Sequence, residues 1–212
     1  YGGYPRVALS SFEEKKDVLR EIVYSYIKKD IFEADIKQEE VFLKLLKIFA
    51  SQAGSLVNAS ELANTLGVSK TAVDNYLYVM QKSFHICLIK PFFRNIRKEL
   101  TKMPKVYFYD VGLRNALLNN FEPITSRVDS GQLFENFIIS EILKTNYYGN
   151  FEYNINYWRT KSGSEVDLVL TKTNQTTIAI EIKNTKKRIN QSFINRYPEA
   201  RISILSKDNY WV

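Results

Sequence analysis

The sequence has few of the residues that build disulfide frameworks and zinc sites. Its 212 residues include one cysteine, Cys87, and one histidine, His85. A single cysteine excludes an internal disulfide framework and is typical of a reducing compartment, so we expect a cytoplasmic protein. The usual Cys/His zinc site is excluded as well. Any metal bound here would therefore need oxygen ligands.

Long apolar runs and nucleotide-binding loops are also missing. No stretch is long enough for a transmembrane helix, and the opening YGGYPRVAL lacks the features of a signal peptide, so we expect no membrane association. The absence of an initiator methionine suggests a piece of a longer protein. No G-x-x-x-x-G-K-[ST] loop occurs, so we expect this chain neither to bind nor to hydrolyse ATP.

The chain carries an excess of positive charge. Thirty Lys and Arg residues stand against 23 Asp and Glu residues, which gives a formal net charge of +7. A basic protein favours a polyanionic partner such as nucleic acid, although net charge alone does not identify one.

The first third of the sequence predicts amphipathic helices. Ser11 and Glu14 have the spacing of a capping box, which predicts a helix over 11–29. A second apolar periodicity begins near Gln38 and stops before Gly54. These segments predict a helical region over residues 1–36, followed by a second domain that begins at residue 37.

The segment NASELANTLGVSKTAVDNYLYVMQK predicts a helix-turn-helix. We expect Ser60 to cap a short helix, Gly67 to turn the chain, and Ser69 to cap a longer second helix. Strand-like segments at 85–89 and 105–109 follow. Three helices and such a hairpin predict a winged helix over residues 37–121, which includes a further short helix at VGLRNALLNN.

The winged helix supplies the predicted nucleic-acid contacts. Lysine and threonine can hold phosphates, and asparagine can read an adenine edge. Asp74 on the same helix opposes phosphate binding, and winged helices also bind proteins, so both kinds of partner stay open. We expect DNA more than RNA, and we leave oligomerisation open. The predicted DNA-binding residues are Lys70, Thr71, Asn75 and Tyr78 on the second helix, and Arg94, Arg97 and Lys98 in the wing.

The last segment, residues 122–212, predicts an α/β domain. GQLFENFIISEILKTNYY has the pattern of a helix, and strands are predicted at 152–159, 165–170, 177–183 and 201–205. A helix over 191–197 precedes the last strand. The predicted order is therefore α-β-β-β-α-β.

Charged residues interrupt the two middle strands of this domain. With a turn centred on Asn174, Asp167 and Glu181 lie directly opposite each other, with Cβ atoms roughly 5 Å apart. Bound Mg²⁺ would remove the repulsion between the two carboxylates, and Lys183 on the same face would serve an attacking water or a phosphate. The alternative is that these residues form the solvated face of a half-covered hairpin.

These residues resemble the PD-(D/E)XK superfamily, which has the restriction-endonuclease-like fold. Asp167 matches its first acid, and Glu181-Ile182-Lys183 matches the (D/E)-x-K on the next strand. Glu135, four residues after Gly131, matches a glutamate on the first helix. The proline expected before the first acid is absent. The resemblance implies Asp167 and Glu181 as metal ligands, Lys183 and Glu135 as catalytic residues, and Mg²⁺ as the cofactor.

The whole chain also resembles the C-terminal half of a family of bacterial and archaeal AAA-superfamily ATPases. The motifs that carry this resemblance are GGYPRVAL, IKKDI, FYDVGLRNAL, GQLFENF, YWRTKSGSEVDLVL and AIEIKN. It implies that an ATPase domain, which binds ATP, precedes this chain and is its partner.

Three functions follow as hypotheses. The first is a nucleic-acid-binding region with a Mg²⁺-dependent nuclease-type site, where Arg159 beside the first acidic strand contacts DNA phosphates. The second is a catalytically inactive DNA- or protein-binding module that positions the ATPase domain. The third is a module for protein interaction alone, which would show no salt-dependent binding to nucleic acid.

Overall fold

The structure is a computed structural model, and it describes residues 1–93, 103–173, 176–183 and 191–210. These residues form eight α-helices, a short 3₁₀ helix and six β-strands, so the fold is mixed α/β. The chain divides into two compact units. The first unit comprises Tyr1–Leu88 and Val106–Asn136, and the second comprises Ile89–Lys105 and Phe137–Val212. Throughout the described ranges, no helix has the length and apolar character needed to cross a membrane.

The helices overlap the predicted helical segments, except for α1, which was not predicted, and α2 extends to Glu33, beyond the predicted end at residue 29. Helix α7 begins in the first unit and ends in the second, and α8 belongs to the second unit. The bounds are α1 Pro5–Leu9, α2 Lys15–Glu33, α3 Glu39–Ser51, α4 Ala59–Leu66, α5 Lys70–Lys82, α6 Val111–Leu117, α7 Ser130–Tyr148 and α8 Gln191–Arg196.

The core of the first unit is built by the apolar faces of its helices. On α3 the residues at helical spacing, such as Phe42, Leu45 and Phe49, are buried. On α5 the same spacing buries Val73 and Met80, which belong to the same apolar cluster. Burial of apolar area at this spacing is the main force that holds these helices together.

The predicted helix-turn-helix segment forms two helices joined by a glycine turn. Gly67 adopts the left-handed conformation with φ of 68°, which ends α4. The Ser69 side chain accepts a hydrogen bond from the Ala72 N–H at 3.1 Å, so Ser69 caps α5 as predicted. The predicted cap of α4 is wrong, because the Asn58 side chain accepts the N-terminal hydrogen bond and Ser60 already lies inside the helix.

The capping motif at Ser11 forms ahead of its helix. The Ser11 hydroxyl donates to the Glu14 carboxylate at 2.8 Å, but the Glu14 N–H donates to the Ser11 backbone carbonyl. The motif therefore closes a turn, and α2 begins one residue later, at Lys15.

The strands form one mixed sheet in the order β2-β1-β3-β4-β5-β6. Strand β3 runs parallel to β1 and antiparallel to β4, which pairs antiparallel with β5, and β5 pairs parallel with β6. In chain order, α7-β3-β4-β5-α8-β6 gives the predicted α-β-β-β-α-β succession. The bounds are β1 Ile86–Pro91, β2 Lys105–Phe108, β3 Asn154–Arg159, β4 Glu165–Thr171, β5 Ile178–Ile182 and β6 Arg201–Leu205.

Both faces of the β4–β5 pair are covered. Leu168 and Ile180 point to one face and are buried. Val169 and Ala179 point to the other face, where they pack in one apolar cluster with Phe193 of α8. The hairpin therefore lies inside the second unit, because helices cover the sheet on each side.

Candidate active site

The pairing of β4 with β5 places the two acids opposite each other. The register pairs Leu168 with Ile180 and Val169 with Ala179. This is the register that the turn position in the sequence predicts, and Asp167 and Glu181 follow the Leu168–Ile180 pair where the ladder ends. Both strands have neighbours on either side, so the acids lie in the middle of the sheet.

The two acids are buried. Asp167 is 7% exposed and Glu181 is 6% exposed. For the two acids, the interpretation as a solvated hairpin face is therefore wrong, because both are shielded from solvent.

Lys183 joins the two carboxylates. Its ammonium nitrogen lies 3.5 Å from Asp167 Oδ2 and 3.4 Å from Glu181 Oε1. The backbone adds two hydrogen bonds: the Ile182 N–H donates to Asp167 Oδ2 at 2.7 Å, and the Asp167 N–H donates to Glu181 Oε2 at 3.3 Å. We call Asp167, Glu181 and Lys183 the acid–lysine cluster.

The electrostatics of the cluster follow from burial and from the paired charges. Burial raises the pKa of Glu181 to about 7, and the Asp167 carboxylate adds to the rise against the pull of Lys183. Burial acts to lower the pKa of Lys183, but the charges of Asp167 and Glu181 outweigh it and raise that pKa. Near neutral pH, Glu181 is thus close to its midpoint of ionisation while the lysine is charged.

The cluster offers two carboxylates to a metal. Within the described ranges, no group of three or more His, Cys, Asp and Glu side chains is arranged to hold a metal ion. Two carboxylates are nevertheless a usual protein contribution to a Mg²⁺ site, where waters and substrate phosphate complete the shell.

Glu135 lies in the first unit. The Tyr107 hydroxyl donates a hydrogen bond to Glu135 Oε1 at 2.6 Å. The role of Glu135 in supporting a metal stays a prediction.

A second charged group, which the sequence pattern did not single out, lies on the same strand as Asp167. Glu165 is paired in register with Arg159, and its Oε2 lies 3.5 Å from the Arg159 Nε. Its other oxygen forms an ion pair with Lys105. The available signal was the spacing, because Glu165 precedes Asp167 by only two residues.

The predicted wing is only partly described. Arg94, Arg97 and Lys98 lie outside the described residues. The flanking residues belong to the second unit, where the Phe92 N–H donates to the Tyr157 carbonyl and the Tyr157 hydroxyl donates to the Met103 carbonyl.

Two residues of the predicted strand at 105–109 are buried. The Lys105 side chain is 5% exposed because it pairs with Glu165, and Tyr107 is 1% exposed. Neither presents a free surface for phosphate contact or for base stacking.

The residues predicted to bind DNA on α5 are all exposed. Lys70 forms an ion pair with Asp74 at 2.6 Å, and Tyr78 is 58% exposed with the Lys82 ammonium over its ring. Thr71 and Asn75 lie on the same outward side of the helix. Their positions permit contact with a partner, and their role stays a prediction.

The second unit also contains an apolar pocket of about 510 Å³. It is lined by α7 residues such as Ile138 and Ile142 and by Leu170 and Leu205 of the sheet. None of the three residues of the acid–lysine cluster lines this pocket.

Comparisons with known proteins identify families without a known function. Residues 130–209 match the model of a domain of unknown function, DUF4143. The chain is 25% identical over 171 residues to uncharacterized proteins of Mycobacterium bovis and Mycobacterium tuberculosis, which covers 79% of this chain and 38% of each relative. An uncharacterized protein of Haemophilus influenzae is 25% identical over 153 residues, which covers 69% of this chain and 37% of the relative.

The chain thus spans less than two fifths of the length of these curated relatives. No solved structure matches it significantly. Residues 1–123 match the model of a second domain of unknown function, DUF8612, and because this match covers more than half of the sequence, the chain belongs to the DUF8612 family.

Proposed function

We propose that the second unit is a nuclease-like module that hydrolyses phosphodiester bonds in nucleic acid with the help of Mg²⁺. Asp167 and Glu181 would hold the metal, and Lys183 would act on the attacking water or the phosphate. The observation that carries this proposal is a pair of buried carboxylates on two adjacent interior strands, both in contact with Lys183.

The charge balance of the cluster supports a cation as its ligand. Two buried carboxylates repel each other, and a single ammonium, Lys183, neutralises only one of the two charges. Burial and the remaining repulsion from Asp167 raise the pKa of Glu181. A divalent cation supplies the missing positive charge, so the residues present fit Mg²⁺ in charge and in their hard oxygen donors.

The chain's own groups then have distinct tasks. Mg²⁺, when bound, would polarise a phosphoryl oxygen and lower the pKa of a water. The Ile182 N–H and the Asp167 N–H hold one oxygen of each carboxylate and so fix both side chains. Lys183 is one-third exposed, and its ammonium can orient a water or stabilise charge on the phosphate.

The wider arrangement agrees with the resemblance to the PD-(D/E)XK superfamily. The succession α7-β3-β4-β5-α8-β6 and the positions of Asp167, Glu181 and Lys183 are those that this resemblance implies. Glu135 enters the proposal through the same resemblance, as a residue that supports the metal. The sequence Ser-Glu-Val-Asp lacks the proline expected before the first acid.

Nucleic acid is the proposed substrate because each unit exposes residues that can contact phosphates. Arg159 lies at the end of β3 with its side chain 43% exposed, and α5 presents Lys70, Thr71, Asn75 and Tyr78. The resemblance to AAA-superfamily ATPases suggests that an ATPase domain is a further partner in the intact protein.

A cleavage assay with matched lysine variants tests the proposal. Labelled single-stranded, duplex and branched DNA, together with RNA, are incubated with the chain and Mg²⁺ or Mn²⁺. We expect Lys183→Ala to abolish cleavage while the fold is retained. Lys172→Ala is the control. The Lys172 side chain is 30% exposed, against 32% for Lys183, and it follows the other end of β4, where it pairs with Glu152. Equal cleavage by wild type and Lys183→Ala would contradict the proposal.

A catalytically inactive module that binds DNA or protein is the second candidate. It is favoured by the fact that Lys183 already contacts both acids and gives the cluster an internal countercharge. In that case no substrate is cut, and binding does not respond to Mg²⁺.

A further inference from the structure

We propose that Glu165 is a positioning residue, which holds Arg159 in place to bind a nucleic-acid phosphate next to the acid–lysine cluster. This inference rests on the proposed function, since it names the part of the site that receives the substrate backbone. It depends on three described side chains: Lys105, Glu165 and Arg159.

Glu165 lies close to the cluster on the same strand. It precedes Asp167 by two residues near the start of β4, so their Cα atoms are about 7 Å apart. Arg159 is its partner in the β3–β4 register. A phosphate bound at Arg159 is therefore beside a phosphate bound at the acids.

Lys105 fixes the Glu165 carboxylate. The Lys105 side chain is 5% exposed, its ammonium contacts Glu165 Oε1, and it lies 5.5 Å from the centre of the Tyr157 ring. A buried ammonium is costly without its countercharge, so this pair holds Glu165 in one position. The second oxygen, Oε2, then faces the Arg159 Nε at 3.5 Å.

The group is built to bind an anion. One carboxylate lies between two cations, which leaves a net positive charge, and the exposed cation is Arg159. Its contact with Glu165 uses Nε, and its terminal nitrogens make no ion pair or hydrogen bond with the described part of the chain. A guanidinium presents these nitrogens as a fork that matches a phosphate.

The direction in which one substitution changes the binding affinity distinguishes this role from general electrostatics. Glu165→Gln removes a negative charge near a polyanion, and charge alone predicts tighter binding. The positioning role predicts weaker binding, because Arg159 loses its orientation. We expect a several-fold rise in Kd and a salt slope smaller by about one, as for the loss of one phosphate contact.

The experiment measures Kd by fluorescence anisotropy over a series of KCl concentrations. The probes are a fluorescein-labelled DNA duplex and its single strand, and EDTA is present so that binding is separated from cleavage. Glu165→Gln, Arg159→Gln and the double variant are compared with wild type. All three should weaken binding alike, because Glu165 acts through Arg159. Glu152→Gln is the control, since Glu152 is exposed and lies away from Arg159 in an ion pair with Lys172.

A second variant keeps the test decisive if Glu165→Gln does not fold. Lys105→Met combined with Glu165→Gln removes both charges of this ion pair and keeps the net charge of wild type. It should fold, as judged by circular dichroism, and bind as weakly as Arg159→Gln.

The inference is overturned by three results. These are unchanged or tighter binding in the variants without Glu165, additive effects of Glu165→Gln and Arg159→Gln, and a wild type without salt-dependent binding to either probe. Failure of the proposed function can be told apart from failure of this inference. If only the proposed function fails, the chain neither binds metal nor cleaves nucleic acid, but the salt slope that depends on Arg159 persists.

Discussion

Replacing Glu181 with glutamine should change how the stability of the chain depends on pH. The folded-state pKa of Glu181 is raised from 4.5 to about 7, because the carboxylate is buried next to Asp167. A carboxyl group with a raised pKa stabilises the folded chain while it is protonated. That stability is fully present below pH 4.5 and is lost as the pH rises through about 7.

The size of the effect follows from the same values. A rise from 4.5 to about 7, at about 1.4 kcal/mol for each pH unit, corresponds to about 3 kcal/mol. Glu181→Gln has nearly the same shape and cannot ionise. We therefore compare the free energies of unfolding of the variant and the wild type. As the pH rises from about 4.5 to about 8, their difference should grow by about 3 kcal/mol in favour of the variant.

Urea unfolding in the presence of EDTA measures this difference at each pH. Titrating groups away from the acid–lysine cluster cancel, because they are common to both proteins, and the raised pKa of Lys183 keeps it charged in this range. Glu152→Gln serves as the control, since Glu152 is exposed and its substitution should give a difference that stays constant with pH. A difference between Glu181→Gln and wild type that does not grow with pH would refute the reasoning. Mg²⁺ added near pH 8 should stabilise wild type and not the variant.

Further predictions concern the first unit. Asn136→Leu should destabilise the chain by about 2–4 kcal/mol in urea unfolding, because the buried Asn136 side chain bonds both the N–H and the carbonyl of Phe108; a loss below about 1 kcal/mol would contradict this. Ser69→Ala should cost about 1 kcal/mol through the lost cap of α5, and Ser69→Asp should restore it. Asp74→Asn should tighten DNA binding several-fold in anisotropy if α5 contacts DNA, because it frees Lys70 from its ion pair; unchanged affinity would exclude α5 from the interface.

The register of the acidic hairpin could be predicted from the sequence, and its burial could not. Side chains alternate along a strand, so the position of the turn alone fixes Asp167 opposite Glu181. Whether that face meets solvent depends on what packs over it. The apolar cluster of Phe193 with Val169 joins elements that are distant in the chain, and strand periodicity carries no information about such contacts.

The same limit explains why the sequence did not predict the group around Glu165. The sequence presents Lys105 as one of several cations in a basic segment, which is typical of an exposed wing. Its burial follows from the ion pair with Glu165 and from the ring of Tyr157, both of which lie far along the chain. Helix caps show the limit at short range, because Asn58 and Ser60 are both good caps and backbone geometry selects Asn58.

The most direct test of the acid–lysine cluster is a calorimetric titration with Mn²⁺ and Mg²⁺ near pH 8, where Glu181 is ionised. Wild type is compared with the double variant Asp167→Asn, Glu181→Gln, and Glu152→Gln serves as the control for the loss of a carboxylate. The account predicts saturable metal binding in wild type and in the control, and none in the double variant. Equal metal binding by the double variant and wild type would contradict the account.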